Sequence, residues 1–211
     1  MTSTVVVFLV VATIFSIGDW WAVHASKKLL QYVCKPLATV GFLATAIAIA
    51  DAESVPQTWR IIAFVFCLLG DVFLMLPRDA FVPGLASFAI AQICFAVSLL
   101  NEDVTTLRLL IGIAIVVPAT LVLARRFIRH ISTSGHKELV LPVMVYMIVI
   151  AAMATSAIAG ATAIGIVGAI FFMLSDSLIA EQRFVKERAW QPVGIMVTYH
   201  VALAGLALGL V

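Results

Sequence analysis

The chain has 211 residues, of which 64% are hydrophobic and only 11% are charged, and its formal net charge is +2. Soluble domains are closer to half apolar and about a quarter charged. The composition therefore excludes a soluble enzyme, a nucleic-acid-binding module and a disordered chain, and it indicates a polytopic membrane protein. The three cysteines, Cys34, Cys67 and Cys94, lack disulfide or zinc-ligand spacing and read as buried small hydrophobes.

Apolar runs of membrane-spanning length recur along the whole chain. A helix needs about 20 residues to cross the hydrocarbon core. Runs of this length predict an all-α protein with eight transmembrane helices in a single transmembrane domain, residues 1–211. The predicted spans are 4–23, 32–50, 59–77, 81–100, 105–123, 139–158, 161–180 and 191–210. The residues left over are too few for a soluble domain.

Basic residues are concentrated in alternate loops. The two tails and the loops after the even spans carry only Arg60 and Arg108. By the positive-inside rule this asymmetry predicts that both termini face away from the cytoplasm. A compact chain without long tails favours the bacterial inner membrane. The basic residues of the loops after the odd spans are Lys27, Lys28, Arg78, Arg125, Arg126, Arg129, Lys137, Arg183, Lys186 and Arg188.

Two similar segments suggest an internal repeat. Residues 68–74 in span three resemble residues 173–179 in span seven, and their aspartates, Asp71 and Asp176, are 105 positions apart. Four spans per half would make a parallel repeat about an axis along the membrane normal. Chance similarity between apolar helices is the alternative. Prolines near the starts of spans two, four, six and eight follow nearly the same offset: Pro36, Pro83, Pro142 and Pro192.

Asp71 and Asp176 are the strongest candidates for function. A carboxylate near the centre of a membrane helix costs about 2.5–3.5 kcal/mol, so it is a functional candidate by default. Each lies seven residues before an arginine, Arg78 or Arg183, which places the two carboxyls at one depth. Two carboxyls beside a shared wet pocket cannot both ionise cheaply, so one becomes an acid and the other a base. Such a pair suits hydrolysis of an amphipathic substrate, but also an intramembrane protease or a proton-coupled transporter.

Six further polar residues are candidates for lining the same site. Asp19 lies near the end of span one and Lys35 near the start of span two, so both side chains are expected to lie close to the membrane surface. Either could extend to the interface, and Lys35 could instead contact an anionic headgroup. His200 is a possible proton relay, and Gln92 is more easily explained as an interhelical hydrogen-bonding residue. The remaining pair, Tyr146 and Tyr199, lie at about the depth of the aspartates.

The motifs as a set resemble those of the lysoplasmalogenase (YhhN-like) family of eight-span membrane proteins. The matching segments are Lys35-Pro36-Leu37, Leu69-Gly70-Asp71-Val72-Phe73-Leu74, Ser87-Phe88, Ser175-Asp176-Ser177, Arg183-Phe184 and Thr198-Tyr199. The chain departs from the pattern at Gln92, Phe95, His200 and Leu203, where the family is expected to have His, Tyr, Tyr and Gln. These departures leave the two aspartates intact and leave the substrate range open.

The resemblance implies cleavage of the vinyl ether bond of a lysoplasmalogen, a lysophospholipid, to a fatty aldehyde and a glycerophospho-headgroup. Asp71 and Asp176 would be catalytic, without metal or organic cofactor. Lys35 would hold the phosphate, the other polar candidates would line the pocket, and the chain of the substrate would lie among membrane lipids. Two alternatives stay open: a proton-coupled transporter, and a lipid-binding membrane protein without catalysis. The sequence leaves the natural lipid and the oligomeric state undetermined.

Overall fold

Eight long helices make up the computed structural model, which describes residues 2–49, 54–78, 80–133 and 135–209. Each helix is long and apolar enough to cross a membrane, with mean hydropathy from 1.4 to 2.4. The described ranges contain no strand, and a single 3₁₀ turn, Lys137–Leu139, precedes the sixth helix. The helices are α1 (Ser3–His24), α2 (Lys28–Ile49), α3 (Val55–Met75), α4 (Phe81–Leu100), α5 (Thr106–Thr133), α6 (Val140–Gly160), α7 (Ala163–Phe184) and α8 (Gln191–Leu208).

The predicted all-α fold with eight membrane-spanning helices is therefore confirmed. Lipid offers no hydrogen bonds to the backbone, so each apolar run must satisfy its own peptide groups as a helix. Side chains cap the N-termini of two helices: the Ser54 hydroxyl accepts a hydrogen bond from the backbone N–H of Gln57, and the Thr162 hydroxyl accepts one from that of Gly165. The predicted span ends at residues 50 and 210 lie outside the described residues.

Two helices are longer than their apolar runs. α2 begins at Lys28 rather than at residue 32, so Lys35 and Pro36 lie two turns inside the helix instead of at its start. α5 has 28 residues and continues to Thr133, so the basic segment 125–130 is helical rather than a loop. Hydropathy marks only where a span leaves lipid, whereas backbone hydrogen bonds continue into water until a breaker such as Gly135.

The helices pack first against their neighbours in sequence. α1 packs on α2, α3 on α4, α5 on α6 and α7 on α8, while α4 also contacts α6, and α8 contacts α1 and α2. The helix pairs of α1–α4 follow the same order as those of α5–α8, as an internal repeat would require, but the repeat itself stays a prediction. The core is rich in aromatic rings, and α5 is the least enclosed helix, since most of its membrane-spanning residues are exposed.

α7 and α8 cross at a pair of glycines. A Cβ on Gly168 would lie 2.7 Å from the backbone nitrogen of Leu206, and a Cβ on Gly205 would lie 2.6 Å from Cα of Gly168. Small residues let membrane helices approach until their backbones touch. Near this crossing, Ser175, the residue before Asp176 on α7, donates a hydrogen bond to the backbone carbonyl of Ile195 on α8.

Gly168→Ala is expected to lower the free energy of unfolding by about 1–3 kcal/mol, because the new methyl group would meet backbone that cannot move aside. Thermal unfolding in detergent measures the effect. Gly194→Ala on α8 is the matched control, since its Cβ would approach closely only the ring edge of Trp190, an exposed side chain that can shift, and would lie at ordinary contact distance from Leu178. Equal stability of the two variants would show that α7 and α8 do not need the close crossing.

One end of the bundle carries most of the cations. α3 and α7 both run toward it and end there at Met75 and Phe184. We call it the basic end; the side of the membrane that it faces stays a prediction. Its loops include Lys27, Arg78, Lys137, Lys186 and Arg188.

Candidate functional site

Asp71 is fully buried on α3 and is held by one ion pair and two hydrogen bonds. Its Oδ1 lies 3.1 Å from Nζ of Lys35. Its Oδ2 accepts a hydrogen bond of 2.6 Å from the Thr39 hydroxyl and one of 2.9 Å from the Tyr199 hydroxyl. Lys35 and Thr39 are four residues apart and so share one face of α2. The Asp71 carboxylate is thus fixed between α2 and α8, with a cation to balance its charge.

Asp176 on α7 has different surroundings. The Tyr146 hydroxyl of α6 donates to its Oδ2 over 2.5 Å. The carboxyl is half-buried and borders a narrow cavity between the helices. Apart from Asp176, Tyr146, Ser177 and Thr120, the walls of this cavity are apolar; we call it the apolar cavity. Asp176 is therefore the carboxyl that a bound apolar molecule would meet.

The two carboxyls are not in direct contact: in the described ranges each has its own tyrosine, and no hydrogen bond joins them. The fully buried Cys67 lies one turn before Asp71 on α3, in the region of both carboxyls. The rings of Phe88, Phe172 and Tyr199 pack edge to face around the same region, with centroids 5.7–6.2 Å apart. The sequence predicts Cys67 only as a small buried hydrophobe; its i,i+4 spacing to Asp71 is the signal that places the two side chains on one face of α3.

A second cavity, wider and with more polar walls, opens at the basic end. We call it the vestibule; its charged and polar walls include Lys28, Tyr32, Lys35, Gln182, Arg183 and Glu187. Three side chains, Leu74, Phe81 and Ile179, line both the vestibule and the apolar cavity and so mark their junction.

The junction lies close to both aspartates. Leu74 follows Asp71 by three residues on α3, and Ile179 follows Asp176 by three residues on α7. Both helices run toward the basic end, so each aspartate lies about 4.5 Å deeper along its helix than the junction residue. An amphipathic molecule with its polar part in the vestibule would therefore place the bond between its polar and apolar parts near the level of the carboxyls.

Asp19 and Lys35 are not shallow, contrary to the expectation from sequence. Lys35 is only 4% exposed, and Asp19 is completely buried. Neither carboxyl oxygen of Asp19 makes a hydrogen bond, although Lys35 is near enough to interact with it electrostatically. α1 continues to His24, so Asp19 lies more than a turn before the helix end and on its buried face.

His200 is buried on α8, and its Nδ1 accepts a 2.9 Å hydrogen bond from the indole N–H of Trp20. An indole nitrogen can only donate, so the proton of a neutral His200 is on Nε2, which is buried without a partner. A relay would need both ring nitrogens to exchange protons, so the geometry gives that role no support. Gln92 is fully buried beside Tyr146, without a well-formed hydrogen bond of its own.

Asp19→Leu is expected to raise the thermal unfolding midpoint. A buried polar group without a hydrogen-bond partner costs about 1–3 kcal/mol, which an apolar side chain of similar size avoids. Ser16→Ala, one turn earlier on the same buried face, is the control and is expected to change the midpoint little, since its hydroxyl only donates to the carbonyl of Ala12 within α1. A midpoint lowered by Asp19→Leu would mean that the carboxyl stabilises Lys35.

Comparison with known proteins places the chain in a family. Two proteins named lysoplasmalogenase, from Mycobacterium bovis and Mycobacterium tuberculosis, are each 30% identical to it over 169 residues. The match covers 78% of this chain and 65% of each relative's own length. No solved structure matches the chain. The YhhN family profile matches residues 30–210, a segment that begins after Asp19. The resemblance drawn from the motifs is thus confirmed, and the chain belongs to the YhhN family.

Proposed function

We propose that this protein is a membrane hydrolase that cleaves the vinyl ether bond of lysoplasmalogens. The observation that carries the proposal is the position of Asp176, a carboxyl bordering an apolar cavity one turn below its junction with a polar vestibule. A single-chain lipid is polar at one end and apolar at the other, as this pair of cavities is. The mycobacterial relatives named lysoplasmalogenase support the same activity.

Asp176 is the better candidate for the proton donor. It borders the cavity, whereas the contacts of Asp71 are to Lys35, Thr39 and Tyr199. Protonated Asp176 would transfer its proton to the β-carbon of the vinyl ether, and the electron pair of the double bond forms the new C–H bond. The product of this step is an oxocarbenium ion beside a newly formed carboxylate. Positioned proton transfer contributes about 10²–10⁴-fold to rate.

The same carboxylate would then act as the base. It takes a proton from a water molecule as the water oxygen bonds to the cationic carbon, which gives a hemiacetal and restores the acid. Protonated Asp176 would then give its proton to the ether oxygen as the C–O bond breaks, and the hemiacetal hydroxyl would lose its proton to the carboxylate. This step releases a fatty aldehyde and a glycerol hydroxyl, so the net change is addition of one water. Asp71, paired with Lys35, would remain a carboxylate whose charge favours the cationic intermediate.

The proposal is tested with the purified protein in detergent. We expect aldehyde release from 1-alkenyl lysophosphoethanolamine and lysophosphocholine. The saturated 1-alkyl lysophospholipid of the same chain length is the control; it has no double bond to protonate and should release nothing. No aldehyde from folded protein with either alkenyl lipid would refute the proposal, and proton-coupled flux in vesicles would then be the next measurement.

A further inference from the structure

The vestibule contains charges of both signs. Besides the buried Lys35, its walls include two cations, Lys28 at the first position of α2 and Arg183 near the end of α7, and one anion, Glu187, in the loop that follows α7. Lys28, Arg183 and Glu187 are exposed, so they are accessible to a molecule entering from water. Tyr32, one turn after Lys28, adds an aromatic face to the same wall.

Arg183 lies beside the junction between the two cavities. Its guanidinium carbon is 4.1 Å from the centroid of the Phe81 ring, and Phe81 lines both cavities. A guanidinium that stacks on an aromatic ring keeps its N–H groups at its edge, in the fork geometry that matches a phosphate. Arg183 is thus placed where the phosphate of a lipid would lie if its chain entered the apolar cavity.

Lys35, which the sequence analysis assigned to the phosphate, is less suited to it. Its ammonium is 3.1 Å from the Asp71 carboxylate and is almost wholly buried. Moving it to a ligand would leave the buried Asp71 charge without its counterion, and an unpaired buried charge is strongly destabilising. Glu187, by contrast, is held by a 3.3 Å hydrogen bond from Nε2 of Gln182, another wall residue, and can accept from an ammonium group.

We propose that the vestibule is a binding site for a zwitterionic phospholipid headgroup, with Arg183 and Lys28 on the phosphate and Glu187 on the amine. The inference rests on the proposed function in one respect only: the single chain of the lipid occupies the apolar cavity. Selectivity for the headgroup would then come from residues that touch neither aspartate. Choline or ethanolamine at the amine position also suits Tyr32, since an aromatic face attracts a desolvated cation.

Equilibrium binding of uncleavable 1-alkyl lipids to the full chain in detergent tests the proposal. Four probes of one chain length are compared: lysophosphoethanolamine, lysophosphocholine, the corresponding lysophosphatidic acid without an amine, and the alkylglycerol without a phosphate. Arg183→Gln is expected to weaken binding of the three phosphate lipids about ten-fold and to leave alkylglycerol unchanged. Glu187→Gln is expected to weaken only the two zwitterionic lipids and to strengthen binding of the lysophosphatidic acid.

Lys186→Gln is the matched control, because it removes an exposed cation of the same loop that does not line the vestibule, and its binding should equal that of the wild type. Inorganic phosphate and glycerophosphoethanolamine separate a lipid site from a general anion site; both are expected to bind at least 100-fold more weakly than the lipids. Equal loss in Lys186→Gln and Arg183→Gln, or tight binding of phosphate alone, would overturn the proposal. Because the probes cannot be cleaved, the binding pattern and the aldehyde assay can fail independently.

Discussion

Asp176→Asn is expected to lower the rate of aldehyde release by about 10²–10⁴-fold while leaving the fold intact. Asparagine has the shape of aspartate, and its carbonyl oxygen can still accept the Tyr146 hydrogen bond, but it has no proton to give to a vinyl ether carbon. The measurement is the initial rate of aldehyde release at saturating 1-alkenyl lysophospholipid, paired with a thermal unfolding curve of each protein.

The matched control for Asp176→Asn is Glu181→Gln. It also turns a carboxylate of α7 into an amide, but Glu181 pairs with Arg126 and Arg188 outside both cavities. Its rate should stay within about twofold of the wild type, and loss of these partly exposed ion pairs should cost no more than about 1 kcal/mol. If Asp176→Asn cleaves as fast as Glu181→Gln, the proton donor is another group.

Lys35→Met is expected to lower the free energy of unfolding by about 3–5 kcal/mol, the largest stability effect predicted for the chain. The substitution keeps the length of the side chain but leaves the Asp71 carboxylate, which is fully buried, without its cation. Chemical unfolding in detergent measures the change. Lys28→Met, seven residues earlier on α2 and exposed, is the control and should have almost no effect on stability.

A double substitution distinguishes loss of the ion pair from poor packing of methionine. Lys35→Met combined with Asp71→Leu removes both charges, and buried ion pairs replaced by apolar side chains often lose no stability. The double variant should therefore be more stable than Lys35→Met alone while remaining inactive. A double variant no more stable than Lys35→Met would show that the cost came from packing.

The number and positions of the helices could be predicted because lipid leaves an apolar run no other structure. The two aspartates were identifiable for a related reason, since a charged residue in such a run is rare and costly. The depth of the polar side chains within the helix bundle was predicted less well. The hydropathy pattern put Lys35 near the start of span two, because the apolar run was taken to begin at residue 32, yet α2 begins at Lys28.

The partners of the aspartates depend on how helices pack, which the pattern along one helix does not contain. Thr39 and Tyr199 hold Asp71 from two different helices, and Tyr146 holds Asp176 from a third. Trp20, the partner of His200, is 180 positions away in the chain, so no local pattern connects the two residues. The sequence indicates Arg183 only as one of the basic loop residues that orient the chain in the membrane. Its place in a cavity wall depends on the shape of the vestibule.

α5 is the helix least covered by its neighbours, and this exposure determines where the reaction products would go. Thr120, Leu123 and Phe127 of this helix form one wall of the apolar cavity, and the helix itself faces mostly lipid. A fatty aldehyde released there would partition sideways into the bilayer, whereas the glycerophospho-fragment would diffuse out of the vestibule into water. The two products would enter different phases and could not recombine at the site, so cleavage would be driven forward by their separation.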